Sequence, residues 1–482
     1  MDKALGYVPT RWAHALHGLP HVNLRLEPVD SLFSPHEWEY QQALLFLAGF
    51  AILCLALNLL LILIYIVRLC CCSLGEKEES KRQESYCTSW SSMVAVIICC
   101  TGIGIGFYGN SEINDGMYQA AYSLANINHT LVTMEALVSN ASAILRRAVR
   151  EELTDLEEVF ADRPEFLVIT RNSRRQAESV LAQLGGLAFW RGLRLNLLEL
   201  AEQGSHTEDH RWLAYVLLIL LDVLICLLVL LGLLTQGTWM LIGLTALSML
   251  GLIVSWLSLG VESVAVLALG DFCIDPDSSV SNITQTKLGI NADLLDYYLT
   301  CDDGALNPFH YSVTLSYRAM STIHSQINSL ERGAIAEFPS AQASLLAAQQ
   351  ALNTTERVLH HLTALIHCQG FNKHYVEVLR GICYDAMEGT LYLCAFSFLT
   401  VLSHCSMVYT LPRIWRKLHN HRAPKLGEVD EEEPFSPMCR RPRVLPRPAL
   451  PTFYAYASSF TRQGGTHPTA PPISNAHIAH YM

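Results

Sequence analysis

Two carboxylates set between asparagines are the residues best suited to bind a cation. Glu112 and Asp115 lie three residues apart in the string GNSEINDG, where Asn110 and Asn114 add amide oxygens. Such hard oxygen ligands suit calcium, but two carboxylates fall short of the roughly six to eight oxygens that calcium takes. The string also lacks the layout of an EF-hand loop. The alternative is a helix N-terminal cap, where acids favour the positive end of the dipole. The residues taken alone favour the cap.

One acidic residue stands inside a long apolar run. A carboxylate in the middle of a membrane costs a few kcal/mol to insert, so Asp222 must face protein or water. Two roles remain open for it, a hydrogen bond to a partner helix and a part in permeation. Glu262 follows the end of the next apolar run and is predicted at the outer membrane interface.

Arginines could attract an anion. None of the long apolar runs contains Lys or Arg, and an anion pathway needs positive charge or hydrogen-bond donors along it. A cluster outside these runs could supply that charge. The alternative is a solvated helix face on which arginines pair with the glutamates at 151, 152, 157 and 158. The arginines of the cluster are Arg146, Arg147, Arg150, Arg163, Arg171, Arg174 and Arg175.

Catalytic and nucleotide-binding motifs find no support. Gly102, Gly104 and Gly106 superficially match a nucleotide-binding loop, but they lie inside an apolar run with no strand before them. Glycine lets membrane helices approach closely, so packing explains the three better. The histidines are scattered, and no Ser or Cys stands in a recognised nucleophile motif. The sequence therefore does not predict an enzyme.

The composition identifies the elements that must position these residues. Of 482 residues, 51% are apolar and only 16% are charged, well below the usual quarter of a soluble domain. The net charge of −11 argues against a nucleic-acid partner. Five apolar runs are long enough to cross a membrane, which excludes a plain soluble enzyme and a disordered chain. The runs are residues 43–67, 90–107, 213–234, 240–261 and 389–411.

The charges around the first run predict its orientation. One Lys or Arg occurs in the twenty residues before it and four in the twenty after it, which places the N-terminus outside. No cleavable signal peptide is predicted, because the first forty residues lack an apolar region. Alternation then places 1–42, 108–212 and 262–388 outside, and 68–89, 235–239 and 412–482 in the cytoplasm.

Sequons and cysteines agree with that topology. All four Asn-x-Ser/Thr sequons fall outside, and so do only four of the fifteen cysteines. An isolated, even set of cysteines in an oxidising compartment indicates two disulfides. A zinc site is the alternative, but no C-x-x-C pair supports it. Three connectivities stay open. The sequons are Asn128, Asn140, Asn282 and Asn353, and the cysteines are Cys273, Cys301, Cys368 and Cys383.

The two large outer segments have the pattern of helices. Apolar residues recur every three or four positions from Met117 to Phe160, the seam of a long amphipathic helix, which Pro164 is predicted to end. The second outer segment repeats the pattern on both sides of Pro339. The predicted fold is therefore all-α, with five transmembrane helices and a disulfide-stapled helical ectodomain. The acidic, proline-rich tail 412–482 is predicted to be disordered.

Several strings resemble the tweety family of membrane proteins. They are EYQQAL at 39–44, GIGIGFYGNSEINDG at 102–116, RWLAY at 211–215, DFC at 271–273 and an acidic run that ends in Pro-Phe at 434–435. The resemblance spans roughly residues 5–440. It implies five membrane helices, an outside N-terminus, a glycosylated helical ectodomain and a homodimer. The tail carries no PPxY motif.

The resemblance also implies roles for single residues. It implies that Arg163 is important for conduction, because the matching arginine of the family is. One relative has the integrin-type motif Arg-Gly-Asp at this place, whereas this chain has Arg163-Pro164-Glu165, which does not predict integrin binding. It implies nested disulfides, Cys273–Cys383 and Cys301–Cys368. It further implies that Glu112 and Asp115 bind a calcium ion near the dimer two-fold axis, where two chains would supply four carboxylates.

Together these observations predict a homodimeric chloride channel of the plasma membrane, activated by calcium or by swelling. This prediction rests mostly on the resemblance. The alternative is a non-conducting surface scaffold that mediates adhesion or contacts membrane lipid.

Overall fold

A computed structural model describes most of the chain as helix. The described residues are 6–71, 78–188, 196–235, 237–288, 291–302, 304 and 306–422. Most of the tail predicted to be disordered lies outside them. Within them no strand occurs, and one isolated β-bridge joins Val22 to Pro28.

The third helix is far longer than its predicted membrane span. A short helix α1 (Arg11–His17) and the first membrane helix α2 (Trp38–Cys71) precede α3 (Glu78–Arg147). At 1.5 Å per residue, the 70 residues of α3 extend roughly 105 Å. The second span and the predicted outer helix are thus one continuous element. Residues 109–116 lie within it, so the helix-cap interpretation of Glu112 and Asp115 is wrong.

The seam of α3 continues through a short irregular stretch. A π-helical turn (Ala148–Glu152) leads into α4 (Leu153–Val159), which is capped at Phe160. Pro164 does not end this helix. It is the first residue of α5 (Pro164–Leu187), a position where the missing N–H costs nothing and the fixed φ suits the helix.

Two more membrane helices and two short helices follow. They are α6 (Leu197–Thr235), α7 (Thr238–Ile274), α8 (Pro276–Leu288) and α9 (Ala292–Thr300).

The last helices return the chain to the membrane. These are α10 (His310–Ala334), α11 (Ala341–Ile366), α12 (Cys368–Arg380), a π-helical turn (Gly381–Ala386) and α13 (Met387–Arg422). Helix α13 continues through Pro412, so the start of the predicted tail is helical.

Among the residues that the structure describes, five helices contain stretches long and apolar enough to cross a membrane: α2, α3, α6, α7 and α13. Helix α13 packs along α3 and α7, whereas α2 packs mainly on α7. Only 11% of the apolar window of α2 is buried, against 33% in α3, α6 and α7. Helix α2 therefore lies at the edge of the bundle.

Glycines set the contact between α3 and α13. A Cβ on Gly106 would come within 2.8 Å of the Phe396 ring, and one on Gly109 within 2.7 Å of the Gly389 carbonyl oxygen. Gly102 also faces α13, at 3.3 Å from the Leu399 Cβ. The packing interpretation therefore holds for Gly102 and Gly106. It fails for Gly104, which has no neighbour within 4 Å.

Contacts between α2 and α7 align the two helices in depth. They run antiparallel, with Tyr40 bonded to Asp271 and Ala51 beside Gly260. The predicted span 43–67 therefore lies beside residues 244–268 of α7. On this alignment the apolar zone of α7 reaches beyond its predicted end at 261.

Outside the membrane, α4, α5, α10, α11 and the second half of α3 form a helical head with one apolar core. The α3 and α4 seam predicted from sequence faces that core, since Met134, Val138, Leu145, Leu156 and Phe160 are at most 3% exposed.

Candidate functional site

Asp222 has a partner inside the bundle. His404 Nε2 on α13 lies at hydrogen-bond distance, 3.0 Å, from Asp222 Oδ1 on α6, and both residues are buried. The ring of His404 lies against Gly251 of α7, where a Cβ would come within 2.8 Å of it. One polar contact thus joins three membrane helices. The partner-helix role proposed for Asp222 matches this arrangement.

Glu262 forms a second polar junction between the same helices. The hydroxyls of Ser258 and Ser397 both donate to Glu262 Oε1 at 2.9 Å. Ser258 also lies 3.2 Å from the Tyr215 hydroxyl of α6. Glu262 is 2% exposed and lies beside residue 49 of α2, inside the apolar zone. Its place at the outer interface stays a prediction, and the alignment with α2 favours a deeper position because the apolar residues of α7 continue beyond 261.

These two junctions show which chemical groups an ion would meet in the bundle interior. Both junctions are centred on an acid, and none of the five predicted spans carries Lys or Arg. One oxygen of Asp222 and one of Glu262 are buried without a protein partner among the described residues. A carboxylate supplies neither the positive charge nor the hydrogen-bond donor that an anion pathway needs, although the buried Trp256 Nε1–H is also without a partner among the described residues. The interior of one bundle therefore offers few groups that attract an anion.

The candidate calcium ligands lie in a larger acidic cluster. Burial raises the pKa of Asp385, and the nearby charges of Glu112, Glu388 and Asp115 raise it further. Tyr392 donates to Glu388 Oε1 at 3.1 Å. The structure thus adds two carboxylates, from the end of the last π-helical turn and the start of α13, to the pair found from sequence.

Asn110 is not available to the acidic cluster as a ligand. Its Oδ1 accepts a hydrogen bond from Arg211 at 2.9 Å, and its Nδ2 donates to the Trp212 carbonyl at 3.3 Å. Within the described parts of this single chain, no three His, Cys, Asp or Glu residues are grouped closely enough to hold a metal ion. Calcium binding here would need ligands from a second chain or from water.

Arg163 is paired across the head. At the N-cap of α5, its Nε donates to Glu337 Oε1 at 2.8 Å, and an Nη contacts the same oxygen. The side chains are 49% and 41% exposed, so water screens this ion pair and it adds little stability. No sequence pattern indicated Glu337, which lies 174 residues away along the chain.

Within the described residues, three other arginines of the cluster pair with glutamates, as the alternative of a solvated helix face predicted. Arg174 contacts Glu157 at 3.3 Å and Glu178 at 3.2 Å, and Arg171 lies 3.9 Å from Glu157. Arg147 reaches Glu151 at only 4.0 Å. Most of the predicted cluster is therefore a charged, exposed surface of the head.

The four outer cysteines form two disulfides in the nested pattern that the resemblance implies. Cys273 pairs with Cys383, and Cys301 pairs with Cys368, with Cα–Cα distances of 5.5 and 5.6 Å. The first bridge joins the end of α7 to the turn before α13. The second fixes the end of α9 to the start of α12.

All four sequons lie on helices. Asn140, Asn282 and Asn353 are exposed, and Asn128 is half-buried on α3. Glycosylation at these positions stays a prediction.

A buried polar hub that sequence reasoning missed holds the N-terminal segment. Asp271, at 1% exposure, contacts His17 Nδ1 at 3.1 Å and His21 Nε2 at 2.8 Å. It also accepts from the Tyr40 hydroxyl at 2.9 Å. The DFC string at 271–273 was the available signal, because it places an acid next to an outer cysteine.

These features define a class: a multi-pass membrane protein with five apolar helices and a disulfide-linked helical head. A Tweety family model matches residues 8–442. Protein tweety homolog 1 of Xenopus tropicalis is 51% identical over 437 residues, covering 91% of this chain and 97% of the relative. Its counterpart in Bos taurus is 45% identical over 434 residues, covering 90% and 96%. Protein tweety homolog 2 of Xenopus laevis is 40% identical over 478 residues, covering 99% and 89%.

The chain therefore belongs to the Tweety family, which confirms the resemblance drawn from its motifs.

Proposed function

We propose that this protein is a homodimeric chloride channel of the plasma membrane, activated by calcium or by swelling, with its head and N-terminus outside the cell. Family membership supports the proposal. The observation that carries it is the exposed arginine surface of the head, where the side chains of Arg147 and Arg171 are 78% and 59% exposed although each faces a glutamate. Chloride would collect near these arginines and cross the membrane outside the interior of either five-helix bundle of the dimer.

Calcium fits the acidic cluster at the outer end of the membrane helices. Glu112, Asp115, Asp385 and Glu388 place four carboxylates near one another in one chain. A two-fold contact through this surface would bring eight together, and their repulsion favours a bound divalent cation. Calcium would thus link the dimer, with ligands shared by both chains.

Reconstitution tests the channel directly. The full chain would be purified with its disulfides intact and placed in phosphatidylcholine liposomes loaded with chloride. Efflux would be followed with calcium and with chelator, at equal and at lowered external osmolarity. We expect chloride efflux that depends on calcium or on the osmotic step. An Arg163→Ala preparation at equal protein density serves as the matched comparison, and its chloride efflux should be lower than that of the unmodified chain.

One observation favours a second candidate, a lipid-contacting or adhesive scaffold. Helix α2 buries little of its apolar surface, and Leu45, Phe50 and Ile52 are more than half exposed. Absence of chloride efflux under all four conditions, with correctly folded dimers at high density, would overturn the channel proposal in favour of this scaffold.

A further inference from the structure

A small hairpin precedes the first membrane helix. Val22 and Pro28 form its β-bridge, and the amide of Val29 donates to the His21 carbonyl at 2.9 Å. At its turn, Asn23 Oδ1 accepts from the amides of Arg25 and Glu27 at 2.9 and 3.0 Å. Asn23 is 7% exposed. The hairpin therefore has a defined, hydrogen-bonded shape.

The base of the hairpin is fixed to the outer end of α7. His21, at 4% exposure, contacts Asp271 Oδ2 at 2.8 Å, and His17 contacts the other carboxylate oxygen. Farther along the chain, Tyr40 donates to the same Asp271. Three contacts on one buried acid hold both ends of the N-terminal segment in place.

The tip of this anchored hairpin is apolar and exposed. Leu24 is 60% exposed and Leu26 is 73% exposed, with the exposed Arg25 between them. Leu26 has φ 63°, a left-handed conformation in which its Cβ crowds the following carbonyl. Glycine or asparagine would relieve that crowding. Leu26 therefore has a backbone conformation that leucine disfavours, and its side chain is not buried by the described chain.

The predicted start of the first membrane span places the anchor of the hairpin near the membrane surface. Its anchor Asp271 contacts Tyr40, three residues before the predicted span that begins at 43. Trp38 is 63% exposed and stands two helical turns before the exposed Leu45. Tryptophan on such a lipid-facing line is typical of the membrane interface.

Distance allows the tip to reach lipid. Leu24 is three residues from His21, so it extends at most about 10 Å from the anchor. The polar zone on each side of a bilayer is about 5–8 Å thick. An arginine between two leucines suits this zone, because its guanidinium pairs with phosphate while the leucines contact acyl chains.

We propose that residues 24–26 form a membrane-interface wedge that inserts into the leaflet on the side of the head. Its ligand is glycerophospholipid, with Leu24 and Leu26 at the acyl boundary and Arg25 on a phosphate. The wedge would brace the outer ends of α2 and α7 against the bilayer. It does not depend on chloride conduction.

Photo-crosslinking tests the contact. A benzophenone amino acid would replace Leu24 or Leu26 in the full chain, reconstituted in phosphatidylcholine nanodiscs. The matched control is Leu306, which is 85% exposed in the loop after Cys301 in the head. We expect at least tenfold more phospholipid adduct at 24 and 26 than at 306. Equal yields would overturn the wedge, and so would adducts that join two copies of the chain.

Hydrogen exchange separates lipid contact from hairpin strain without a bulky probe. The double variant Leu24→Ser with Leu26→Asn relieves the left-handed backbone and removes the apolar tip. Relief of strain alone would slow amide exchange in residues 22–28 or leave it unchanged. Loss of lipid contact would speed it several-fold in nanodiscs, which is the expected result. Unchanged or slower exchange would overturn the proposal.

Discussion

Arg163 and Glu337 form an ion pair in which either charge can be removed by a single substitution. Arg163→Ala removes a positive charge from the head and should reduce chloride current several-fold if anions pass near it. Glu337→Gln leaves Arg163 in place and removes the competing carboxylate, so current should stay equal or rise. Both changes should cost less than about 1 kcal/mol in stability, because the pair is exposed.

Patch recordings at matched surface expression compare the two variants. Equal loss of current in both would assign the pair a structural role, since charge would then not decide the outcome. Unchanged current in Arg163→Ala would show that this arginine is an ordinary surface residue.

Asp222 and His404 couple α6 to α13 within the membrane. Asp222→Ala leaves the buried His404 imidazole without this partner and should lower the free energy of unfolding by about 1–3 kcal/mol. Replacing both residues by Leu removes the pair together, which can be nearly neutral for a buried polar pair. The double variant should therefore be more stable than Asp222→Ala. Denaturant titration in detergent measures this, and a double variant no better than the single one would contradict it.

At the scale of elements, the crossing of α3 and α13 depends on missing side chains. Gly109→Ala places a Cβ within 2.7 Å of backbone on α13, and overpacking of this kind costs about 1–3 kcal/mol. Gly104→Ala is the matched control on the same helix, with open space around it. It should gain about 0.5–1 kcal/mol from helix propensity. Thermal unfolding in detergent should move the two variants in opposite directions.

Sequence patterns predicted the membrane helices and the apolar seam but not how far each helix runs. Residues 109–116 look like a loop, because Gly and Asn disfavour helix. Packing of Gly109 against Gly389 overrides that local preference. The partners Glu337, His404 and Asp385 are distant in sequence from the residues they meet. No local pattern encodes such contacts, so pairing of the candidate residues needed the fold.

At the scale of the whole molecule, the proposed calcium site would link assembly to calcium and to protons. The raised pKa of Asp385 means that the folded chain favours its protonated form. The contribution of Asp385 to the stability of the fold is therefore present at low pH, and it is lost as the pH rises through the raised pKa of Asp385. Across a two-fold contact the same repulsion would act between chains. Protonation and calcium should thus relieve one common strain.

We therefore expect the dimer fraction in detergent to fall with chelator at neutral pH. Lowering the pH towards the raised pKa of Asp385 should restore part of it without calcium, because one of the four carboxylates is then neutralised. Glu112→Gln with Asp115→Asn should make the dimer insensitive to calcium and less sensitive to pH, because fewer charges remain to neutralise. Glu356→Gln, an exposed acid on α11, is the matched control and should behave as the unmodified chain. Light scattering with mass determination measures each state. A dimer fraction that ignores both chelator and pH would place the two-fold contact elsewhere on the molecule.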